Sequence, residues 1–468
     1  MGMAEQDSRI SEPAGANAGR ASGILARLGV MLVFIASTAA FFLFGNVLPE
    51  QFADAGFWRF LFIFSGILLL AANIVYFAWQ ILLVKQYRPF PDPGNDNLPT
   101  VSVIVPAFNE GHLVSETLQS LLRSDYPLEK LEIITVNDGS RDDTWKWMYP
   151  AVQASGGRTI AVDLPRNAGK RNAIYKGMLV STSEVIVTLD SDTQIPPRSL
   201  RELVAPFCHD ETIGGVAGNL RVRNPQDGLI PRMLDVSFVF GFEFLKSAQS
   251  MVRSVLCQPG AFSAFRRSAL MPHMKEWLNE TIFGRPAVIG EDRALTNILL
   301  REGWGVVFQR DAVSYSEMPT GYGALCKMMI RWTRGNFREN FYLFKYVFKK
   351  LDFRDENLTG MQINLIVQTF WQISPIVLTL LAVWSFFTGA FAFFSGIILS
   401  ILFWSTLPAF VYARRYSQAE SLWSYVYGFF SFVTMFWVAP YSVLTVHHVG
   451  WMTRQNPAPA APGKQAKT

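Results

Sequence analysis

Cysteine is scarce in this chain: three residues in 468, at 208, 257 and 326, with no C-x-x-C spacing. That pattern excludes a disulfide framework and a zinc site, and reduced thiols agree with a cytoplasmic domain. Charge is scarce too, at 17% of residues against 50% hydrophobic. The net charge of +5 contains no basic run and no aromatic-basic repeat, so nucleic acid is not among the expected partners. What charge there is leaves long gaps. Residues 28–48, 60–84, 357–413 and 421–452 contain none.

Each of these gaps is long enough to cross a hydrocarbon layer of ~30 Å at about 1.5 Å per residue. The run 357–413 is too long for one crossing and fits two, joined by a turn near 388–389. Five spans are expected, two before the central region and about three after it. A cleaved signal peptide is the alternative for the first. Its apolar stretch is too long for that, and a second span follows at once. Arg9, Arg20 and Arg27 precede the first span, and Lys85 and Arg88 follow the second, against Glu50 and Asp54 between them. The positive-inside rule therefore puts the N-terminus and the central region in the cytoplasm. Arg414 and Arg415 fit that side, whereas Arg454, Lys464 and Lys467 would lie outside if the last run spans.

The expected layout is a disordered cytoplasmic tail over 1–27, two spans over 28–84, a soluble domain over 95–340, an amphipathic interface helix over 341–356, about three spans over 357–452 and a flexible tail over 453–468. Within the soluble domain VSVIVPAF (101–108), LEIITVND (131–138), TIAVDL (159–164) and VIVTLD (185–190) read as strands, with helical spacing between them. Such alternation predicts an α/β domain with a parallel sheet covered on both faces. Ligands bind such sheets at the carboxyl ends of the strands. Pro106, Asp138 and Asp190 all fall there, so three segments should meet at one crevice.

Several motifs carry chemistry, each beside a plainer reading. LDSDT places Asp190 and Asp192 at a strand end, where a D-x-D pair suits Mg²⁺ or Mn²⁺ that takes its other ligands from phosphate and water. The plainer reading is a turn pair. NDGSRDDT places Asp138 where it can accept from a base or ribose, or simply cap a turn. NAGKRNA opens a helix with Lys170, whose ammonium and free amides suit a phosphate; a solvated basic turn would look the same. GEDRALTN sets Glu291 and Asp292 ahead of a helix, as a general base or as acids facing the helix dipole. Arg331 and Trp332 pair a guanidinium suited to phosphate with an indole able to stack on a sugar, though both types also frequent membrane interfaces.

Taken in order, VSVIVPAFNE, NDGSRDDT, NAGKRNA, LDSDT, QPGAFSAFR, IGEDRALTN and RWTRGNFRE resemble the processive family 2 glycosyltransferases: hyaluronan synthases, chitin synthases and rhizobial chitooligosaccharide synthases. The resemblance covers about residues 95–345. It implies a GT-A (Rossmann-like) cytoplasmic domain flanked by membrane helices, with a UDP-sugar donor, a growing polysaccharide as acceptor and the lipid bilayer as surroundings. It further implies that Pro106, Ala107, Glu110, Asp138, Lys170 and Asp190 line the UDP pocket, that Asp192 with Asp190 holds Mn²⁺ or Mg²⁺, and that Arg331 binds pyrophosphate. Asp292 would deprotonate the acceptor hydroxyl, with Glu291 beside it in the acceptor pocket. Trp332 would stack beneath the acceptor sugar, and residues 333–335 would form a gating loop. One departure stands out: the family's Q-x-x-R-W has Met328 in place of its glutamine.

The resulting expectation is an inverting, processive β-glycosyltransferase of the inner membrane that takes UDP-sugars, UDP-N-acetylglucosamine among them, and threads its product outward. Gln362, Gln368, Trp371 and Gln372 are candidate channel-lining residues, or polar glue between helices. A transferase adding one sugar to a lipid carrier and an inert export or scaffold subunit are the alternatives. Sugar identity, oligomeric state and accessory subunits are not legible.

Overall fold

The computed structural model describes residues 56–448, apart from 283, 350–351, 353–354 and 389–390. The expected tails, 1–27 and 453–468, and the first expected span, 28–48, lie outside them. A 31-residue helix, α1 (Gly56–Gln86), leads into the domain. Strand β1 (Val101–Ala107) then pairs in parallel with β2 (Leu131–Asn137) on one side and β4 (Val185–Leu189) on the other. β3 (Thr159–Asp163) lies outside β2. Beyond β4 come β7 (Phe262–Arg266), β6 (Ile213–Val222), β8 (Gly305–Ser316) and the two-residue β5 (Thr193–Gln194), giving the order 3-2-1-4-7-6-8-5.

Side chains alternate across each strand, so neighbours in sequence enter opposite cores. Val101, Val103 and Val105 face one apolar layer, and Ile104 faces the other with Ile134 and Ile186. Helices α2 (Leu113–Leu122), α3 (Thr144–Ala154) and α5 (Ser199–His209) send Leu118, Met148 and Leu203 into the first layer. Helices α4 (Lys170–Val180) and α8 (Glu291–Arg301) send Ile174 and Leu295 into the second. Helix α6 (Leu229–Val239), a π-helical turn (Phe240–Lys246) and α7 (Ser247–Met251) link β6 to the loop before β7.

The wholly parallel sheet expected from the alternation is not found, because β7 runs antiparallel to both β4 and β6. The loop Pro259–Ala261 ends at the carboxyl edge of the sheet, where the Asp190 amide donates to the Ala261 carbonyl at 3.2 Å. A strand that starts at that edge must run away from it, against the direction of β4.

A second difference concerns the stretch after the domain. Helix α9 runs unbroken over Tyr322–Val347. Residues 333–335 are therefore helical rather than a loop, and the aromatic-lysine stretch from 341 continues the helix that carries Arg331 and Trp332. Helices α10 (Glu356–Thr388) and α11 (Phe391–Arg415) follow, then α12 (Trp423–Thr434) and α13 (Val438–Leu444). Among the described residues one helical stretch, Ile397–Arg415, is long and apolar enough to cross a bilayer. The segments Glu420–Thr434 and Val438–Leu444, bent by 53°, reach that length only together.

Three of the candidate lining residues join structural elements. Gln362 donates to the Val347 carbonyl at 3.0 Å, Trp371 donates to Asn73 at 3.2 Å, and Gln372 accepts from Asn340 at 2.9 Å. The buried Gln368 carbonyl oxygen has no hydrogen-bond partner among the described residues.

Candidate active site

The crevice forms where β1, β2 and β4 end side by side. Pro106 and Ala107 close β1, in register with Val136 and Asn137. The next turn is stitched to β2's exit: the Asn109 amide donates to Ser140 at 3.0 Å, and the Glu110 amide to Thr144 at 2.8 Å. Asp138 follows β2. Its two carboxylate oxygens accept from the backbone amides of Ala168 and Gly169, both at 2.8 Å. Burial pushes this carboxyl up to about 6, against the pull of those two amides. Between them Gly139, at φ 64°, lies so close to the Arg166 backbone that a Cβ would collide with it. Asp138 therefore anchors the turn that starts α4, and Lys170 is that helix's first residue.

Lys170 is the centre of the site. Its ammonium lies 2.6 Å from Asp190 Oδ1 and 2.9 Å from Glu291 Oε1. Burial alone would lower its proton affinity, but the two carboxylates overcome that and hold it above the usual lysine range. Burial would likewise raise Glu291; Lys170, helped by the Arg331 guanidinium, brings it down to about 2. Asp292 goes the other way, because burial and the neighbouring Glu291 charge raise it despite Lys170. Two adjacent acids are thus set apart, Glu291 fixed as an anion and Asp292 drawn toward the proton.

Asp292 is aimed by two amides, Arg293 N–H at 2.8 Å and Gly260 N–H at 3.1 Å. The second ties it to the loop before β7, so the reversed strand helps build the site. Trp277 donates its indole N–H to the Glu291 carbonyl at 3.2 Å. Gly290, at φ 79°, lies against Gly335 of α9, where added Cβ atoms would stand 3.4 and 3.5 Å from the opposite Cα. This close crossing brings the helix of Arg331 and Trp332 to the start of α8. Trp332 is 36% exposed and lies 6.1 Å, centroid to centroid, from Phe238. Arg334 donates to Thr445 at 2.7 Å and lies over the Tyr441 ring.

Asp192 sits in the turn after β4, where Thr193 Oγ1 donates to it at 3.3 Å and the Thr193 amide donates to the Asp190 carbonyl at 3.1 Å. Among the described residues no three His, Cys, Asp or Glu side chains converge as a metal cage. Two carboxylates at a crevice fit a Mg²⁺ or Mn²⁺ ion that takes its remaining ligands from phosphate and water. Met328 is buried among Leu325, Ala261, Phe238 and Met233, an apolar setting that accommodates its thioether.

Lys170, Asp190 and Glu291 thus meet directly, Asp292 stands beside them within reach of their charges, and Asp138 joins them through the Ala168–Gly169 turn. Sequence reasoning missed Trp277 and the backbone contribution of Gly260. It also missed a second buried cluster, formed by Arg221, Asp235, Glu243 and Arg415. Isolated residues far apart in sequence offer no spacing to read.

Comparison with known proteins places the chain among glycosyltransferases. The model of the glycosyl transferase family 2 matches residues 102–273. A hyaluronan synthase of Streptococcus pyogenes serotype M3 is 30% identical over 402 residues, covering 82% of this chain and 89% of that protein. An N-acetylglucosaminyltransferase of Rhizobium leguminosarum bv. viciae is 32% identical over 252 residues, 54% of this chain and 59% of that protein. Among solved structures, a mannosyltransferase from Pyrobaculum calidifontis, in complex with GDP-Man and Mn²⁺, superposes with a TM-score of 0.52 at 19% identity. It covers 81% of this chain and 97% of that one.

Proposed function

This chain belongs to glycosyl transferase family 2, with a GT-A-like fold on a mixed sheet, and from that premise we propose that it is a membrane-embedded, inverting, processive β-glycosyltransferase. It polymerises sugar from UDP-sugar donors, UDP-N-acetylglucosamine among them, at the cytoplasmic face of the inner membrane and exports the chain between its own helices. The observation that carries the reading is the cluster in which one ammonium, Lys170, holds Asp190 and Glu291 while Asp292 beside them is raised toward the proton. The relatives' names, hyaluronan synthase and N-acetylglucosaminyltransferase, support the choice of donor.

In this reading Pro106, Ala107, Glu110 and Asp138 line the pocket for the nucleotide, and Lys170 and Arg331 offset charge on the departing diphosphate. Asp292 takes the proton of the acceptor hydroxyl, with Glu291 as its neighbouring fixed charge, and Trp332 carries the acceptor sugar. Asp190 and Asp192 would hold a divalent cation, Mn²⁺ or Mg²⁺, which supplies Lewis-acid stabilisation of the diphosphate when bound. Direct attack by the hydroxyl inverts the anomeric centre, giving a β-linked product from an α-linked donor. Outward-facing apolar side chains on α1 and α10, with Val75 at 68% and Leu380 at 66% exposure, support the lipid setting. The domain division expected from the sequence is carried into this proposal, except that the interface helix expected over 341–356 becomes the last part of α9.

The test is UDP release by the full-length protein in lipid nanodiscs with Mn²⁺, supplying UDP-N-acetylglucosamine, UDP-glucuronic acid and UDP-glucose singly and in pairs. Sustained release and a long product are expected with UDP-N-acetylglucosamine, alone or paired. Release that stops after one turnover would point to a transferase acting on a lipid carrier. No release with any donor would favour an inert scaffold.

A further inference from the structure

Three residues spaced four apart, Phe238, Phe242 and Lys246, make a line that starts beside Trp332. Phe238 lies 6.1 Å from Trp332 and 5.9 Å from Phe242, and the Lys246 ammonium stands 3.7 Å from the Phe242 ring centre. This line crosses from α6 into the π-helical turn Phe240–Lys246. Such turns are rare, are short, and frequently occur at functional sites. Without outside contacts the ordinary α-helical turn would be the expected geometry.

Outside contacts are present, and they converge on Glu243. Its carboxylate is 2% exposed, receives Asn219 of β6 at 3.3 Å and lies 3.7 Å from Arg221. Arg415 and the Tyr416 hydroxyl bind it from the other side. Two turns earlier Arg221 grips Asp235 through two bonds, at 3.2 and 3.1 Å, and Tyr412 donates to the same carboxylate at 2.8 Å. Two carboxylates and two guanidiniums are thus closed off together, in balance. Burying such a cluster gains little stability over a hydrophobic replacement, so a role in fixing geometry is the better account of it. Arg415 is also the last residue of the stretch Ile397–Arg415, the one described helix long and apolar enough to cross a bilayer.

We propose that Arg221, Asp235, Glu243 and Arg415, with Tyr412 and Tyr416, form a clamp that holds the widened turn, keeps Phe238 and Phe242 in register with Trp332, and so sets how the acceptor sugar meets Asp292. The acceptor clause rests on the function proposed above; the clamp itself rests on the contacts alone. Acceptor placement then answers to the helix ending at Arg415, while the nucleotide pocket does not.

The experiment compares wild type, Arg415→Ala and Arg415→Lys as full-length proteins in nanodiscs. Amide hydrogen exchange should speed at least tenfold over residues 240–246 in R415A and remain unchanged in strands β1 and β2. The acceptor KM should rise about tenfold with the donor KM within twofold, and R415K should restore most of both. Unchanged exchange over 240–246 would overturn the clamp. Donor and acceptor KM rising together would overturn its specificity for the acceptor. Faster exchange in a protein whose wild type transfers no sugar would uphold the clamp and sink the proposed function instead.

Discussion

Lys170 faces three carboxylates, Asp190, Glu291 and Asp292, whereas Arg221 and Arg415 together face two, Asp235 and Glu243. Both groups are withdrawn from water and both join elements distant in sequence. The second is neutral as it stands, and every charge has an opposite neighbour. In the first, burial and the neighbouring Glu291 charge raise the proton affinity of Asp292 despite Lys170, while Lys170 and Arg331 hold Glu291 as an anion. Perturbed proton affinities at a crevice are a mark of sites that do chemistry. Two adjacent acids set apart in proton affinity therefore distinguish the first cluster from the second, in which each charge simply has an opposite neighbour.

That contrast can be broken or sharpened by substitution. The largest effect is expected from Asp292→Asn, which removes the proposed base: sugar transfer should fall on the order of 1,000-fold, while UDP binding measured by calorimetry stays intact. Retained transfer would remove Asp292 from the chemistry. Lys170→Met leaves the buried Glu291 and the part-exposed Asp190 without their cation and should cost about 3 kcal/mol of stability. Since the lysine lowers Asp292, its loss should also raise the acid limb of the pH–rate profile. Activity needs ionised Asp292, so it declines as pH falls through that limb, and the decline should begin at higher pH in the variant. An unmoved limb would mean that the limb belongs to another group.

Asp138→Ala gives up two hydrogen bonds to the turn that starts α4, and should lower stability by about 2 kcal/mol along with UDP affinity. Loss of stability with unchanged UDP affinity would make Asp138 a purely structural anchor. The smallest change is expected from Met328→Gln, which restores the family's residue. An amide placed in that apolar cluster without a partner should cost about 1 kcal/mol, read as a lower thermal midpoint. A higher midpoint would show that the amide finds a partner there.

The first four strands were legible because apolar alternation and its interruptions are local signals. Asp138, Lys170 and Asp190 followed from them, since a parallel βαβ unit always delivers strand ends to one edge. The direction of β7 was not legible. FSAFR carries no mark of its direction, since strand direction depends on which edge the preceding loop reaches rather than on periodicity. The loop expected over residues 333–335 came from the family resemblance, not from the residues themselves. The helix continues because Gly335 serves as a contact with Gly290 instead. The partners of Glu243 lie between 22 and 173 residues away, and nothing in their spacing announces that they meet.

The contact between Gly290 and Gly335 bears on how such a protein could be redesigned. Two backbones that leave room for little more than a methyl group form a shared hinge pin for α8 and α9. The acidic pair at the head of one helix and the Arg331–Trp332 pair on the other then form a single interchangeable part. Grafting either motif alone from a relative would import a mismatched fit, whereas a transplant spanning residues 289–340 would carry the joint with it.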